Sequence, residues 1–311
     1  MSLPTTKKDM IAVGPIRDVL VDFFERLGIS NRLSTKGIDP ALGKRFNDLT
    51  REWDLDLAPH HFQKFAALGL NMGTMAYRHT PIDVQMAISI YTTLGIMVDE
   101  DIMTIQTICE FPRRLFGGRV QPHPILARFA ECLASMHEHF SPYSANAITT
   151  NTVDFVSAEM LVRGEGGPDV KGSAGSAYAD YIRLKNGLGE TYAAFVWPRA
   201  MFPETKRYVR TFPYISEFAC YGNDLYSFYK EEIVGETENY VSQHAAARGQ
   251  PSVKSLQDIA DKLVEIDSRV REILGDGPEK KAWESFIIGY AEFHLHTPRY
   301  RLKEIIPEFC P

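Results

Sequence analysis

Residues 84–98 read VQMAISIYTTLGIMV, fifteen positions without a charged side chain. As a helix this segment is apolar on nearly all sides, so no face of it can be turned to water and other elements must surround it. A bilayer span takes about 20 apolar residues, and this stretch is shorter and interrupted by Gln85, Ser89, Thr92, Thr93 and Gly95. The segment therefore calls for a protein interior several helices wide, with itself near the centre.

The rest of the chain supplies those helices. Residues 16–28 place Val19, Leu20, Phe23, Phe24 and Leu27 at helical spacing, with Gly28 as a stop. Residues 255–275 align Leu256, Ile259, Leu263, Ile266, Val270, Ile273 and Leu274 in one stripe, with Ser255 as N-cap, Gly275 as terminator and Pro278 beyond. Residues 279–295 put Trp283, Phe286, Ile287 and Tyr290 on one face. Strand patterns are poor, and the Asn-Gly of residues 185–187 sits within a helical pattern. The expectation is an all-α, single-domain protein over residues 1–311, with mobile loops at 164–175 and 246–252.

Composition narrows the class. A 311-residue chain with 44% hydrophobic and 24% charged residues has ample material for a core. A net charge of −6 argues against broad nucleic-acid binding but allows a local basic pocket. Cys109, Cys132, Cys220 and Cys310 lie far apart without metal-ligand spacing, and read as thiols in a reducing compartment. The N-terminal residues hold no apolar run long enough for a signal peptide. A soluble, cytoplasmic protein with no stable membrane insertion is expected.

The apolar segment runs directly into Asp99, Glu100 and Asp101. Three acids at the C-terminal end of a buried helix oppose its dipole. Either something cationic offsets them or the helix surfaces into solvent there. A second pattern bears on the choice. In NDLYSFYKE, residues 223–231, Asn223, Ser227 and Glu231 recur at steps of four and so share one helical face. Amide oxygen, hydroxyl and carboxylate are hard donors of the kind Mg²⁺ takes, usually completed by water and substrate phosphate. A phosphorylated ligand in turn needs basic groups, and Lys230, Arg183 and Arg299 are available.

These residues resemble the class I terpene synthases, and among them the fungal sesquiterpene cyclases of the trichodiene synthase family. NDLYSFYKE is similar to that family's NDxxSxxxE metal motif. The resemblance implies Asn223, Ser227 and Glu231 as metal ligands and Lys230 as a diphosphate-binding lysine. RLKNG, residues 183–187, resembles the diphosphate-sensing segment, with Arg183 as sensor, Asn186 in the linker position and Gly187 as effector at a helix break. Arg299 and Tyr300 match a terminal Arg-Tyr pair that hydrogen-bonds diphosphate. The aspartate-rich motif departs from the usual DDxxD, because Met103 stands where a distal acid would sit. The resemblance implies direct metal contact for Asp99; Glu100 and Asp101 stand beside it without an assigned contact. The departure points to a relative with a different product from trichodiene.

The implied fold is the all-α class I isoprenoid synthase bundle around a central cavity. The implied reaction is Mg²⁺-dependent ionisation and cyclisation of a prenyl diphosphate, farnesyl diphosphate foremost, to a cyclic sesquiterpene hydrocarbon or alcohol. The implied cofactor is a cluster of three Mg²⁺, for which Mn²⁺ can substitute, and the implied assembly is a homodimer. Charge-assisted bonds from Arg183, Lys230, Arg299 and Tyr300 would stabilise the leaving diphosphate. Tyr91, Thr92, Gly95 and Ile88 behind Asp99, with Ile215 and Ala219 behind Asn223, are candidates to line a cation pocket. Phe62, Phe65, Phe155, Tyr192, Trp197, Trp283 and Tyr290 could add aromatic faces or be core. Two alternatives stay open: a non-catalytic helical protein with a degenerate diphosphate site, and a chain-elongating prenyltransferase, which would carry a second Asp-rich motif where this chain has residues 223–231.

Overall fold

A computed structural model describes residues 9–34, 39–55, 57–100, 102–164, 172–236 and 238–310. Among them are thirteen α-helices and no strand. They are α1 (Asp9–Arg26), α2 (Pro40–Arg51), α3 (Pro59–Asn71), α4 (Ile82–Asp99), α5 (Ile105–Phe116), α6 (Pro124–His139), α7 (Pro142–Gly164), α8 (Gly172–Asn186), α9 (Gly189–Phe195), α10 (Phe212–Val234), α11 (Tyr240–Arg248), α12 (Ser252–Leu274) and α13 (Pro278–His296).

The charge-free segment becomes α4, packed between α3 and α6 with almost every side chain buried. Two of its polar interruptions are satisfied within the helix. Ser89 Oγ donates to the Gln85 carbonyl at 2.7 Å, and Thr93 Oγ1 to the Ser89 carbonyl at 2.8 Å. The same two hydroxyls mark where α3 comes closest. A Cβ at Gly69 would collide with Thr93 Oγ1, and one at Gly73 with Ser89 Oγ. Only residues without side chains permit this approach. Past α3 the backbone loosens into a π-helical turn, Met72–Ala76, that packs against α13.

The second long helix of the interior, α10, lies against α9 and α12, and α1 covers α12 from outside. The α12 stripe is buried from Leu256 to Val270, while Ile273 and Leu274 at its end are half-buried. Gly28 ends the first helix as expected, in a left-handed conformation with φ 66°.

Three local expectations change. Helix α12 starts at Ser252 after Pro251, so Ser255 is not its N-cap; it is buried inside the first turn and bonds His244 Nδ1 at 3.0 Å. Residues 246–252 are not a free loop. Helix α11 runs on to Arg248, and Gln250 is tethered to Ser255 at 2.8 Å and Asp258 at 2.9 Å. Of the loop expected at 164–175, Gly164 closes α7 and residues 172–175 open α8, while 165–171 lie outside the described residues.

Candidate active site

A cavity of about 340 Å³ opens between α3 and its π-helical turn, α4, α7, α8, α9, α10 and α13. On its α10 wall Asn223, Ser227 and Glu231 follow one another down the helix, joined by Lys230, whose Nζ donates to Glu231 Oε1 at 2.9 Å. Ser227 and Glu231 are buried.

Arg183 reaches this wall from α8. Its Nε donates to Asp224 Oδ2 at 2.7 Å, its Nη1 to Asn186 Oδ1 at 3.3 Å, and its Nη2 to the Cys220 carbonyl at 3.0 Å and to Asn223 Oδ1 at 3.4 Å. Burial works against the guanidinium charge, but Asp224 outweighs it and holds Arg183 firmly protonated. Burial pushes the Asp224 carboxyl up to about 6, against the pull of Arg183. Just beyond, the chain breaks between two helices. A Cβ at Gly187 would overlap Cys220 Sγ and lie 2.8 Å from the Arg183 carbonyl. Leu188, which also faces the cavity, sits at φ 54°, a left-handed conformation uncommon for a leucine.

The opposite wall is the C-terminal end of α4. Asp99 opens into the cavity. Its side chain is accessible there, while protein packs closely around it on the other sides. That burial, and then Glu100, push its carboxyl above the usual range, against Arg299, Arg183 and Arg163 further off. No ion pair within 4 Å reaches Asp99 among the described residues. Glu100 turns instead to Arg299, Oε1 to Nη1 at 3.0 Å. Part of the cation that the dipole argument demanded is the protein's own. Arg163 on α7 donates to the Val98 carbonyl at 3.1 Å and the Met103 carbonyl at 2.9 Å, capping the end of α4. Asp101 lies outside the described residues.

Tyr300 closes the α13 side, its hydroxyl accepting from Asn223 Nδ2 at 3.4 Å. The same amide nitrogen is 3.3 Å from His294 Nε2, a ring that burial keeps neutral by lowering its pKa to about 3.

Of the residues considered for the cation pocket, Thr92, Gly95, Ala219, Phe155, Tyr192 and Tyr290 line the cavity. Tyr91 and Ile215 do not, nor does Ile88, and each is fully buried core. Tyr91 lies one residue, or about 100°, around α4 from Thr92, where its hydroxyl meets Thr152 Oγ1 at 2.6 Å. On α10 the Tyr290 hydroxyl donates to the Ala219 carbonyl at 2.7 Å and closes the wall at that level, leaving Ile215, one turn further, in the core. Phe62 and Phe65 also lie outside the cavity lining, Trp197 stacks on Tyr208, and Trp283 donates to Asp267 Oδ1 at 2.9 Å. Leu68, Met72, Leu188 and Phe293 line it without having been singled out in the sequence.

The donor set suits a divalent cation. Among the described residues no three His, Cys, Asp or Glu side chains converge into a closed cage. Among the groups that face the cavity, Asn223, Ser227, Glu231 and Asp99 offer an amide, a hydroxyl and two carboxylates, a hard-oxygen set that leaves positions for water and phosphate. Asp99, raised and without an ion-pair partner, is where added positive charge would be best accommodated.

A helical bundle of this shape has solved counterparts. The linalool/nerolidol synthase of Streptomyces clavuligerus superposes with a TM-score of 0.61 at 16% identity, over 84% of this chain and 99% of that one. The fold is that of the class I terpene synthases. The sequence model of the family Trichodiene synthase (TRI5) matches residues 40–309, and the chain belongs to that family. It is a terpene synthase, a lyase, of a family that acts on prenyl diphosphates with a divalent metal. Similar fungal proteins include Terpene synthase 29 of Postia placenta, 35% identical over 86% of this chain and 78% of that protein. Monoterpene synthase 25 of the same fungus is 31% identical over 93% and 86%. Longiborneol synthase CLM1 of Gibberella zeae is 29% identical over 88% and 91%. Among the described residues no helix is long and apolar enough to cross a membrane.

Proposed function

We propose that this chain, acting as one catalytic domain over residues 1–311, ionises farnesyl diphosphate and cyclises it to a sesquiterpene hydrocarbon or alcohol. The observation that carries the reading is convergence: Asp99, Arg183, Asn223, Ser227, Lys230, Glu231, Arg299 and Tyr300 all face one cavity. Asp99, Asn223, Ser227 and Glu231 would hold Mg²⁺, as a cluster of three, with Mn²⁺ able to substitute. Bound there, the metal supplies charge neutralisation of the departing diphosphate.

The protein's own groups do the rest. Arg183 keeps its charge because Asp224 holds it, and it stands where an anion in the cavity meets its guanidinium. Lys230 and Arg299 add charge-assisted bonds. The Tyr300 hydroxyl accepts from Asn223, so its own proton is available to donate into the cavity. Gly187 admits no side chain and so keeps α8 against Cys220 at the break. Deeper in, Phe155, Tyr192, Tyr290 and Phe293 turn aromatic faces to an allylic cation and leave little room for water.

Farnesyl diphosphate is favoured because longiborneol synthase and the (E)-beta farnesene synthase of Metarhizium brunneum, 28% identical over 75% of this chain, make C15 products by name. The 31% identity to a monoterpene synthase supports geranyl diphosphate as the second substrate to try. A cytoplasmic homodimer completes the proposal. The test is incubation with farnesyl diphosphate with and without Mg²⁺, then gas chromatography–mass spectrometry of an organic extract. A metal-dependent cyclic C15 product is expected. No product from farnesyl, geranyl or geranylgeranyl diphosphate would sink the proposal in favour of a degenerate site.

A further inference from the structure

From the geometry we infer that His294 is a positioning residue, setting which way the Asn223 amide faces so that its oxygen, not its nitrogen, is presented to the cation site. The inference rests on the metal-ligand reading of Asn223 given above.

Hydrogen-bond polarity fixes the amide from both ends. His294 Nδ1 lies 2.7 Å from the Tyr290 carbonyl, which can only accept, so Nδ1 carries the ring proton. The ring is fully buried among Tyr226, Tyr290 and Tyr300 and no carboxylate bonds to it among the described residues, so it holds that one proton only and Nε2, a bare lone pair, can only accept. The group 3.3 Å away must therefore donate, and that group is Asn223 Nδ2. The other end of the amide agrees. Oδ1 lies 3.4 Å from Arg183 Nη2, a nitrogen that can only donate. Turning the amide over would set oxygen against the Nε2 lone pair and nitrogen against the guanidinium, two mismatches in a buried place.

The ring cannot readily evade this duty. It is fully buried, with the Tyr226 ring at 4.5 Å, the Tyr290 ring at 4.5 Å and the Tyr300 ring at 4.4 Å between centroids. Flipping it would lose both nitrogen contacts. Thus the backbone of α13 sets the tautomer, the tautomer sets the amide, and the amide sets the donor presented from α10.

Two variants separate this role from plain packing. His294→Asn keeps a donor near Nδ1 but has no atom at Nε2; His294→Gln extends an acceptor to that place. Both remove the ring, so lost packing would weaken both alike. The readout is isothermal titration of inorganic diphosphate in the presence of Mg²⁺, which involves no turnover, alongside the Mg²⁺ dependence of kcat and KM. His294→Asn is expected to weaken Mg²⁺-dependent diphosphate binding about 10–100-fold, as loss of an outer-shell partner does. His294→Gln is expected to stay within about threefold, the equivalent of one slightly poorer hydrogen bond. Adding Asn223→Asp to His294→Asn should recover much of the loss, since a carboxylate has oxygen on both sides and needs no orientation.

Equal losses in the Asn and Gln variants, or no recovery in the double variant, would overturn the inference. Asn223→Ala and Ser227→Ala/Glu231→Gln serve as references. If they too leave Mg²⁺-dependent binding unchanged, the metal reading of α10 has failed. If they abolish binding while the His294 pair behaves alike, only the role of His294 has failed.

Discussion

The two walls of the cavity are prepared differently. On the α10 wall each charged or amide group already has a partner: Arg183 with Asp224, Lys230 with Glu231, Asn223 with His294 and Tyr300. On the α4 wall Asp99 faces the cavity without an ion pair, its carboxyl pushed up by burial and by Glu100. The α10 wall is organised before any ligand arrives, and preorganised donors need no rearrangement when charge develops. The α4 wall holds unbalanced negative charge that a ligand-borne cation would relieve. One wall sets geometry; the other sets a demand for charge.

The largest effect should come from dismantling the organised wall. Ser227→Ala combined with Glu231→Gln removes a hydroxyl and a charge from the line, and turnover should fall by about 10³-fold or more. Asn223→Asp, which keeps an oxygen donor, should cost much less. Wild-type turnover in the double variant, measured against a Mg²⁺ titration, would remove the metal role from α10. Next comes Asp99→Asn. Here turnover should drop by about 10²-fold and the Mg²⁺ requirement rise, yet thermal stability should hold or increase, because a desolvated carboxylate without an ion pair is relieved. A clear loss of stability would mean that Asp99 is structurally partnered, and the contrast between the walls would collapse.

What could be read in advance follows the same divide between local and long-range. The steps of four in residues 223–231 are local, so the Asn223, Ser227 and Glu231 line was visible before any fold. Asp224 stands in that same string, but its meaning depends on Arg183, 41 residues away. His294 gave no signal, since one histidine in an apolar helix fits many roles. The all-α fold was legible from the 3.6-residue period, and α4 from its lack of charge. That uniformity also hid the cavity side of α4. Where every face is buried, periodicity cannot tell Thr92 and Gly95, which line the cavity, from Tyr91, which does not. Helix ends erred for a related reason: Ser255 has the chemistry of an N-cap, but Pro251 lets the helix begin a turn earlier.

The hinge between the walls offers a middle-sized test. Gly187→Ala would drive its new methyl into Cys220 Sγ, so either α8 or α10 must shift. Overpacking of this kind costs about 1–3 kcal/mol, and turnover should suffer further because Arg183 is anchored on the same turn. Cys220→Ala removes the nearer clash and leaves the Arg183 carbonyl at 2.8 Å, so the double variant should regain part of both. If stability returns and turnover does not, the glycine matters to the reaction for more than its size.

The smallest effect concerns the ion pair that ties the two ends of the site together. Arg299 and Glu100 meet at 3.0 Å, but their side chains are 42% and 36% exposed. A pair so open to water contributes about 0.2–1 kcal/mol at most, so Glu100→Gln should move the urea midpoint only slightly. Its effect on inorganic diphosphate binding should likewise stay within about threefold and shrink further in salt, because screening already weakens the contact. The neighbouring Asp99→Asn, one residue away, should likewise not destabilise the fold, but it is expected to bring a large loss of turnover. A loss at Glu100 as large as that at Asp99 would show that the two acids act as a unit, and that the α4 wall is more organised than its unpaired carboxylate suggests.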